Sequence, residues 1–156
     1  MRRVLEAPCS TPVEALYLEL GLIPIKYIFK GRRLMFLHYV LNLNEEEMLS
    51  QLFWTQWKSP VSSHWTETVK EDMDVLKIGR TIYEIKKMKK HVFAKIVKES
   101  CKRVALDELL DMKSGHSKMT NIFYGSLKIQ TYLKDKRIRP DIARTLFRFR
   151  TQMVNQ

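Results

Sequence analysis

Residues 90–112 read KHVFAKIVKESCKRVALDELLDM, and this stretch decides the fold class. Its apolar residues recur every three or four positions, which is the spacing of one face of an α-helix. The residues that we expect to face inward are Phe93, Val97, Cys101, Val104, Leu109 and Leu110. No stretch of the sequence alternates apolar and polar residues with the period of two that is typical of a strand. The sequence therefore predicts a long helix here and helices elsewhere.

Start and stop signals divide the rest of the sequence into further helical segments. The predicted starts are Thr11-Pro12, Pro24, Asn44, Ser63 or Thr66, Thr81 and Pro140, and the predicted ends include Gly21, Leu41, Pro60, Gly79 and Gly115. Residues 122–133 are also predicted to be helical, and the last helix carries Ile142, Leu146, Phe149 and Met153 at helical spacing. We predict an all-α protein with six or seven helices in a single compact domain, residues 1–156.

Positive charge is concentrated in the second half of the chain. The 156 residues include 28 Lys and Arg against 17 Asp and Glu, for a net charge of +11. Residues 1–78 carry 9 basic and 10 acidic groups, whereas residues 79–156 carry 19 basic and 7 acidic groups. This asymmetry favours a polyanionic partner, because a one-sided positive field attracts such a partner and speeds the encounter. The alternative is that lysine-rich helices only keep the protein in solution.

The sequence offers no constellation of catalytic or metal-binding side chains. It has no Cys-x-x-Cys pair and no Gly-rich phosphate loop, so we expect no zinc and no other cofactor. The acidic run at residues 71–74 is interpreted as a solvated helix face. Asp107 and Asp111 share a helix face, but a single exposed pair is weak evidence for Mg²⁺, and Lys or Arg partners one turn away fit it equally. Cys101 is predicted to be a core residue, and His38 a partly buried histidine with a satisfied hydrogen bond. We therefore predict that the chain is not an enzyme and has no small-molecule substrate.

Secretion and membrane signals are also lacking. The most apolar stretch, residues 16–29, is interrupted by charged residues, glycine and proline, so it is not expected to span a bilayer. Two widely separated thiols fit a reducing compartment better than a disulfide framework. We predict an intracellular protein, cytoplasmic or nuclear, with no membrane partner.

Three clusters of basic residues are the candidate contacts to nucleic acid. Lysine neutralises phosphate as a point charge, and arginine binds it bidentately and stacks on bases. The candidates are Lys26, Lys30 and Arg33 on one predicted helix face, the run Lys86, Lys87, Lys89 and Lys90, and the C-terminal group Arg137, Arg139, Arg144, Arg148 and Arg150. The run at residues 86–90 also fits a nuclear address, and it fits equally a solvated helix face.

Several blocks of sequence, in order along the chain, carry a resemblance to a known family. They are residues 1–21, 32–39 (RRLMFLHY), 56–57, Trp65 with 69–72 (VKED), 116–119 (HSKM), 124–133 and 146–150 (LFRFR). Together they resemble the region that follows the polymerase domain in reverse transcriptases of non-LTR retrotransposons. In that family the region helps to hold template RNA or target DNA, and the catalytic aspartates lie elsewhere.

The resemblance implies a detached, non-catalytic piece of such a polyprotein, with RNA or DNA and other parts of the reverse transcriptase as partners. The similar proteins often continue into a Cys-rich zinc knuckle, whereas this sequence stops at Gln156, so we expect no zinc-assisted binding. We therefore predict a helical nucleic-acid-binding module, with the choice between RNA and DNA open. The alternatives are a relic fragment without independent activity and a protein-docking module. For docking, Phe53, Trp54, Trp57 and Trp65 supply aromatic residues, although at least two are expected to be packed core.

Overall fold

The computed structural model describes residues 2–7, 9–59, 64–114, 122 and 124–151, and it confirms the all-α class. Nine helical segments and no strand occur among these residues, and six of the helices have eight residues or more. The helices are α1 (Arg2–Leu5), α2 (Val13–Leu20), α3 (Ile25–Leu41), α4 (Met48–Lys58), α5 (His64–Val75), α6 (Ile82–Lys87), α7 (Lys90–Ser114), α8 (Thr131–Lys134) and α9 (Pro140–Arg150).

Several predicted helix boundaries are confirmed by specific backbone geometry. Gly21 ends α2 in the left-handed region at φ 61°, and an added Cβ there would lie 2.2 Å from the backbone nitrogen of Ile129. Only glycine fits such a position without strain. Thr81 caps α6 in a reciprocal capping box with Glu84, and Pro140 occupies the first turn of α9.

Other predicted boundaries are wrong, mostly by a few residues. Pro12 rather than Thr11 occupies the cap of α2, and α4 begins at Met48, after a turn that follows Asn44. The helix α5 ends before Gly79, because Lys77 adopts the left-handed conformation at φ 51°. The predicted boundary residues Pro60, Ser63 and Gly115, with Met153 of the last helix and the block at residues 116–119, lie outside the described residues.

The prediction of a helix over residues 122–133 is wrong for the described part of that segment. Helical structure is present only in α8, and the residues before it are bends and extended chain. The backbone amide of Gln130 donates to the carbonyl oxygen of Glu19 at 3.0 Å, and the ammonium group of Lys113 donates to the carbonyl oxygen of Ile122. These tertiary bonds satisfy backbone groups that a helix would have paired internally.

The residues group into two compact units, residues 25–104 and residues 1–24 with 105–156. In the first unit, α3 packs against α4, α5 and α6. Gly31 permits a close approach to α7, since an added Cβ would lie 3.1 Å from the Cys101 sulfur. The buried apolar residues of this unit include Leu34, Leu37, Phe53, Val69, Leu76, Ile85, Phe93 and Val97.

The second unit, residues 1–24 with 105–156, has a smaller cluster of its own. Leu5, Leu16 and Phe147 are buried together, and Leu20 and Tyr132 pack against them. The helix α8 packs on α9 within this unit. The prediction of one domain over residues 1–156 is not tested by this grouping and stays a prediction.

Candidate nucleic-acid interface

The densest positive charge of the chain lies where α6 meets α7. Residues 86–103 contain eight Lys and Arg residues, and Glu99 is the only acidic residue among them. Lys87, Lys89 and Lys90 are exposed, and within the described residues their ammonium groups have no carboxylate partner. Lys86 is half-buried and lies 6.0 Å from the ring centroid of Trp54. This basic segment (residues 86–103) therefore presents charge that the described part of the chain does not neutralise.

A lysine stripe continues along the outer face of α7. His91, Lys95, Lys98 and Lys102 follow one another at spacings of four, three and four residues, so they share one helix face. His91, Lys95 and Lys98 are exposed and Lys102 is partly exposed, whereas Phe93 on the opposite face is buried. The candidate list from the sequence missed the three lysines of this stripe. Their helical spacing was the signal that would have found them.

The charges at the start of α7 oppose its helix dipole. The first turn of α7 contains no acidic residue, and Lys89 and Lys90 stand at this end. The N-terminus of a helix carries partial positive charge, so each cation there costs about 0.3–1 kcal/mol when exposed. Helix stability therefore does not explain these lysines. A bound anion would relieve the repulsion among them and the opposition to the dipole.

The candidates on α3 are already partnered within the protein. Lys30 Nζ lies 2.8 Å from one carboxylate oxygen of Asp72, and Arg33 Nε donates to the other at 2.6 Å. Lys26 lies 5.1 Å from the ring centroid of Tyr27. The predicted common face exists, but two of its three cations hold a carboxylate that the sequence places about 40 residues away. Their assignment as phosphate contacts stays a prediction.

Asp72 contradicts the interpretation of residues 71–74 as a wholly solvated face. Its side chain is 0% exposed, whereas Glu71 and Asp74 are exposed. Burial by itself raises the pKa of Asp72, but the hydrogen bonds from Arg33 and Lys30 outweigh it and hold the pKa below the ordinary value. Asp72 is therefore a buried anion that joins α5 to α3.

Four of the C-terminal arginines are paired with exposed or half-buried carboxylates. Arg137 and Arg139 bind Asp135 and Asp141, each two residues away, at 2.8 and 3.1 Å. Such solvent-screened surface pairs contribute little to stability, so these two guanidinium groups can exchange partners with a phosphate. Arg144 and Arg148 both reach the carboxylate of Glu6, at 2.6 and 3.9 Å, and Arg148 also donates to the Glu6 carbonyl oxygen.

Arg150 belongs to a buried polar cluster. Its Nε lies 2.7 Å from Glu19 Oε1, and Glu19 is 0% exposed. The Tyr132 hydroxyl donates to Glu19 Oε2 at 2.6 Å, and the Tyr124 hydroxyl donates to Oε1. Burial and the adjacent carboxylate raise the pKa of both phenols, so both stay protonated donors. Arg150 is therefore committed to the fold of its unit.

Two further interpretations from the sequence are confirmed. Cys101 is a buried free thiol whose sulfur donates to the Tyr27 carbonyl oxygen at 3.3 Å. His38 is buried, its ring stacks on Phe93 with centroids 5.4 Å apart, and its Nε2 lies 2.9 Å from the Met88 carbonyl oxygen. Nε2 is therefore the protonated nitrogen of a satisfied imidazole.

Within the described ranges, no three His, Cys, Asp or Glu side chains are grouped so as to hold a metal ion. Over the same residues, no helix is both long and apolar enough to cross a membrane. Searches of protein-family models, of curated proteins and of solved structures found no match to this chain. The resemblance to the post-polymerase region of retrotransposon reverse transcriptases therefore stays a prediction.

Proposed function

We propose that this chain is a non-catalytic helical module that binds nucleic acid through its phosphates, chiefly with the basic segment and the lysine stripe of α7. The observation that supports the proposal is the charge of residues 86–103, eight basic groups against one acidic group, with six of the eight basic side chains exposed. A phosphate backbone presents closely spaced negative charge, so several lysines on one face can engage it together. Specificity is low, because phosphate contacts position the protein and carry no sequence information.

The proposal keeps the remaining candidates in a secondary role. Arg137 and Arg139 are exposed enough to add contacts at moderate salt. Lys30, Arg33 and Arg150 are tied to buried carboxylates, and releasing them would leave a buried charge unpaired. A cytoplasmic or nuclear location, and an origin in the post-polymerase region of a retrotransposon reverse transcriptase, belong to the same proposal.

The test is fluorescence-anisotropy binding of the whole chain to single-stranded RNA, duplex DNA and an RNA–DNA hybrid across a salt series. We expect a steep fall of affinity with salt for the wild type. The triple variant Lys95→Gln/Lys98→Gln/Lys102→Gln should reduce the slope of log affinity against log salt by about 2 for a single strand, since each phosphate contact contributes about 0.7.

A matched control removes three exposed lysines of the other unit, in the variant Lys128→Gln/Lys134→Gln/Lys136→Gln. This control makes the same change in net charge, so an effect of total charge alone would appear in both variants. The site is supported if only the stripe variant loses slope. Equal slopes in the two variants would overturn the assignment of the stripe, and no binding to any of the three ligands would overturn the function.

A protein-docking module is the second candidate, and one observation favours it. Ile142, Leu146 and Phe149 share the face of α9 that points away from buried Phe147, and Phe149 is 63% exposed. An exposed apolar stripe of this kind is typical of contact surfaces. Sedimentation at high salt, where charge effects are screened, tests it with a second copy as the partner. Self-association that Phe149→Ser abolishes would favour docking, and a monomer at every concentration would count against it.

A further inference from the structure

One exposed tyrosine stands between two grooves of unit 25–104, and each groove contains a tryptophan and a lysine. Tyr83 is 63% exposed at the start of α6. On one side it stacks on Trp54, with ring centroids 6.0 Å apart and planes inclined by 27°. On the other side it lines a groove together with Trp57 and Lys70. Each groove therefore combines a tryptophan ring with a lysine ammonium group, and Tyr83 belongs to both grooves.

The first groove, of about 430 Å³, has mixed polar and aromatic walls. Its lining residues are Glu45, Gln51, Trp54, Lys58, Tyr83 and Lys86. The rings present flat apolar surface, Lys58 and Lys86 supply positive charge at the edge, and the Gln51 amide can both donate and accept hydrogen bonds. Glu45 would repel a phosphate but would accept from the amino group of a base.

The second groove, of about 470 Å³, repeats the grouping of an indole with a lysine. Lys70 Nζ lies 4.8 Å from the ring centroid of Trp57, and Lys86 lies 6.0 Å from that of Trp54 in the first groove. Both indoles are anchored by buried Phe53, with ring centroids 5.3 Å and 5.5 Å from it. Both indoles therefore pack on the buried core through Phe53 while they line the grooves.

We propose that Tyr83, with Trp54 and Trp57 on its two sides, forms a stacking site for unpaired bases of a single-stranded nucleic acid. Every base has a flat face that stacks on aromatic rings, and cations beside the rings take the neighbouring phosphates. In a duplex the bases are already stacked and their faces are inaccessible, so the site selects single strands. The inference rests on the proposed function and adds the class of strand. Lys86 connects the two, since it belongs both to the basic segment and to the first groove.

The test compares four probes of equal length: single-stranded RNA, single-stranded DNA, an abasic single strand with the same phosphates, and duplex DNA. Tyr83→Ala should weaken binding to the two base-carrying single strands by roughly 5- to 150-fold, the range measured for one stacked base, without changing the salt slope. Binding to the duplex and to the abasic strand should change little. Tyr83→Phe keeps the ring and should bind as the wild type does.

The control variant is Tyr39→Ala, which removes another exposed tyrosine of the same unit at a residue that lines neither groove. It should leave all four affinities unchanged. Quenching of tryptophan fluorescence by the base-carrying strands, but not by the abasic strand, is the expected spectroscopic signature. The circular dichroism spectrum of each variant reports whether its helices are intact.

The outcomes separate this inference from the proposed function. If all probes bind and Tyr83→Ala weakens none of them more than Tyr39→Ala does, the stacking site is overturned while the phosphate contacts survive. Equal loss of duplex and single-strand binding in a Tyr83→Ala variant with an unchanged circular dichroism spectrum would also overturn it, because base stacking contributes nothing to duplex binding. If no probe binds the wild type, the proposed function fails and the stacking site fails with it.

Discussion

The buried carboxylate of Glu19 gives the sharpest prediction about stability. Three donors converge on it: the guanidinium group of Arg150 and the hydroxyl groups of Tyr124 and Tyr132. These residues come from four segments of unit 1–24 with 105–156, so the cluster joins the start of the chain to its last helix. The change to test is Glu19→Gln, which keeps the size of the side chain and removes its charge.

The expected cost of Glu19→Gln follows from these three contacts. A hydrogen bond to a charged group is worth about 1.5–3 kcal/mol and a neutral one about 0.5–1.5 kcal/mol, so three bonds lose roughly 3 kcal/mol together. The amide NH2 must also replace one accepting oxygen, and it then faces a donor. Removing one partner of a buried ion pair typically costs about 3–5 kcal/mol, which agrees with this figure. We expect a loss of about 3–5 kcal/mol in the free energy of unfolding.

Urea unfolding followed by circular dichroism measures this loss, and it should appear as a lower midpoint with an unchanged slope. A matching thermal scan should show a fall of roughly 6–20 °C, since 1 kcal/mol corresponds to about 2–4 °C for a chain of this size. Asp107→Asn, which neutralises an exposed carboxylate on α7, is the control and should change stability by less than about 0.5 kcal/mol. A loss for Glu19→Gln no larger than that of the control would refute the reasoning.

Three further predictions concern single positions. Asp72→Asn removes the ion pair with Arg33 and should lower the free energy of unfolding at neutral pH, as measured by unfolding in urea. Because the folded pKa of Asp72 is lowered, its contribution is present above the pKa of the unfolded chain and is lost as pH falls through the folded pKa, so the difference from wild type should shrink below about pH 4. Gly21→Ala should cost more than about 1–2 kcal/mol, from left-handed strain plus collision with the Lys128–Ile129 backbone, whereas Gly79→Ala, which meets no atom within 4 Å, should cost nothing. Thr81→Ala should cost about 1 kcal/mol by removing the cap of α6, and an unchanged urea midpoint would contradict it.

Local signals predicted the helices well because each depends on a few neighbouring residues. The capping box at Thr81, the left-handed glycine at Gly21 and the proline at Pro140 act within one helical turn, so their effect is visible in the sequence. The prediction of a helix in the segment before α8 was wrong for the opposite reason. Its backbone groups bond to Glu19, more than 100 residues away, and to the Lys113 side chain, which lies beyond one helical turn, and no local pattern indicates such partners.

Tertiary packing also decides which charged side chains are buried. Asp72 stood in an acidic run that is typical of a solvated face, and only the packing of α5 on α3 brings it to Lys30. A charged side chain is buried only where tertiary packing supplies a partner, and the local sequence does not show that partner.

Two groups of cations differ in their contacts. One group pairs with buried carboxylates and stabilises the fold, and the other has no carboxylate partner within the described residues and is proposed to bind. Arg33 and Arg150 offset buried carboxylates, so neutralising them should lower stability first and affinity only through unfolding. Lys95 and Lys98 have no carboxylate partner in the part of the chain that the structure describes, so neutralising them should leave stability nearly unchanged. A surface whose charges do not stabilise the fold is maintained at a cost in self-repulsion, which a polyanion removes. This is the physical reason for proposing a binding site on α7 rather than on the arginine-rich end of the chain.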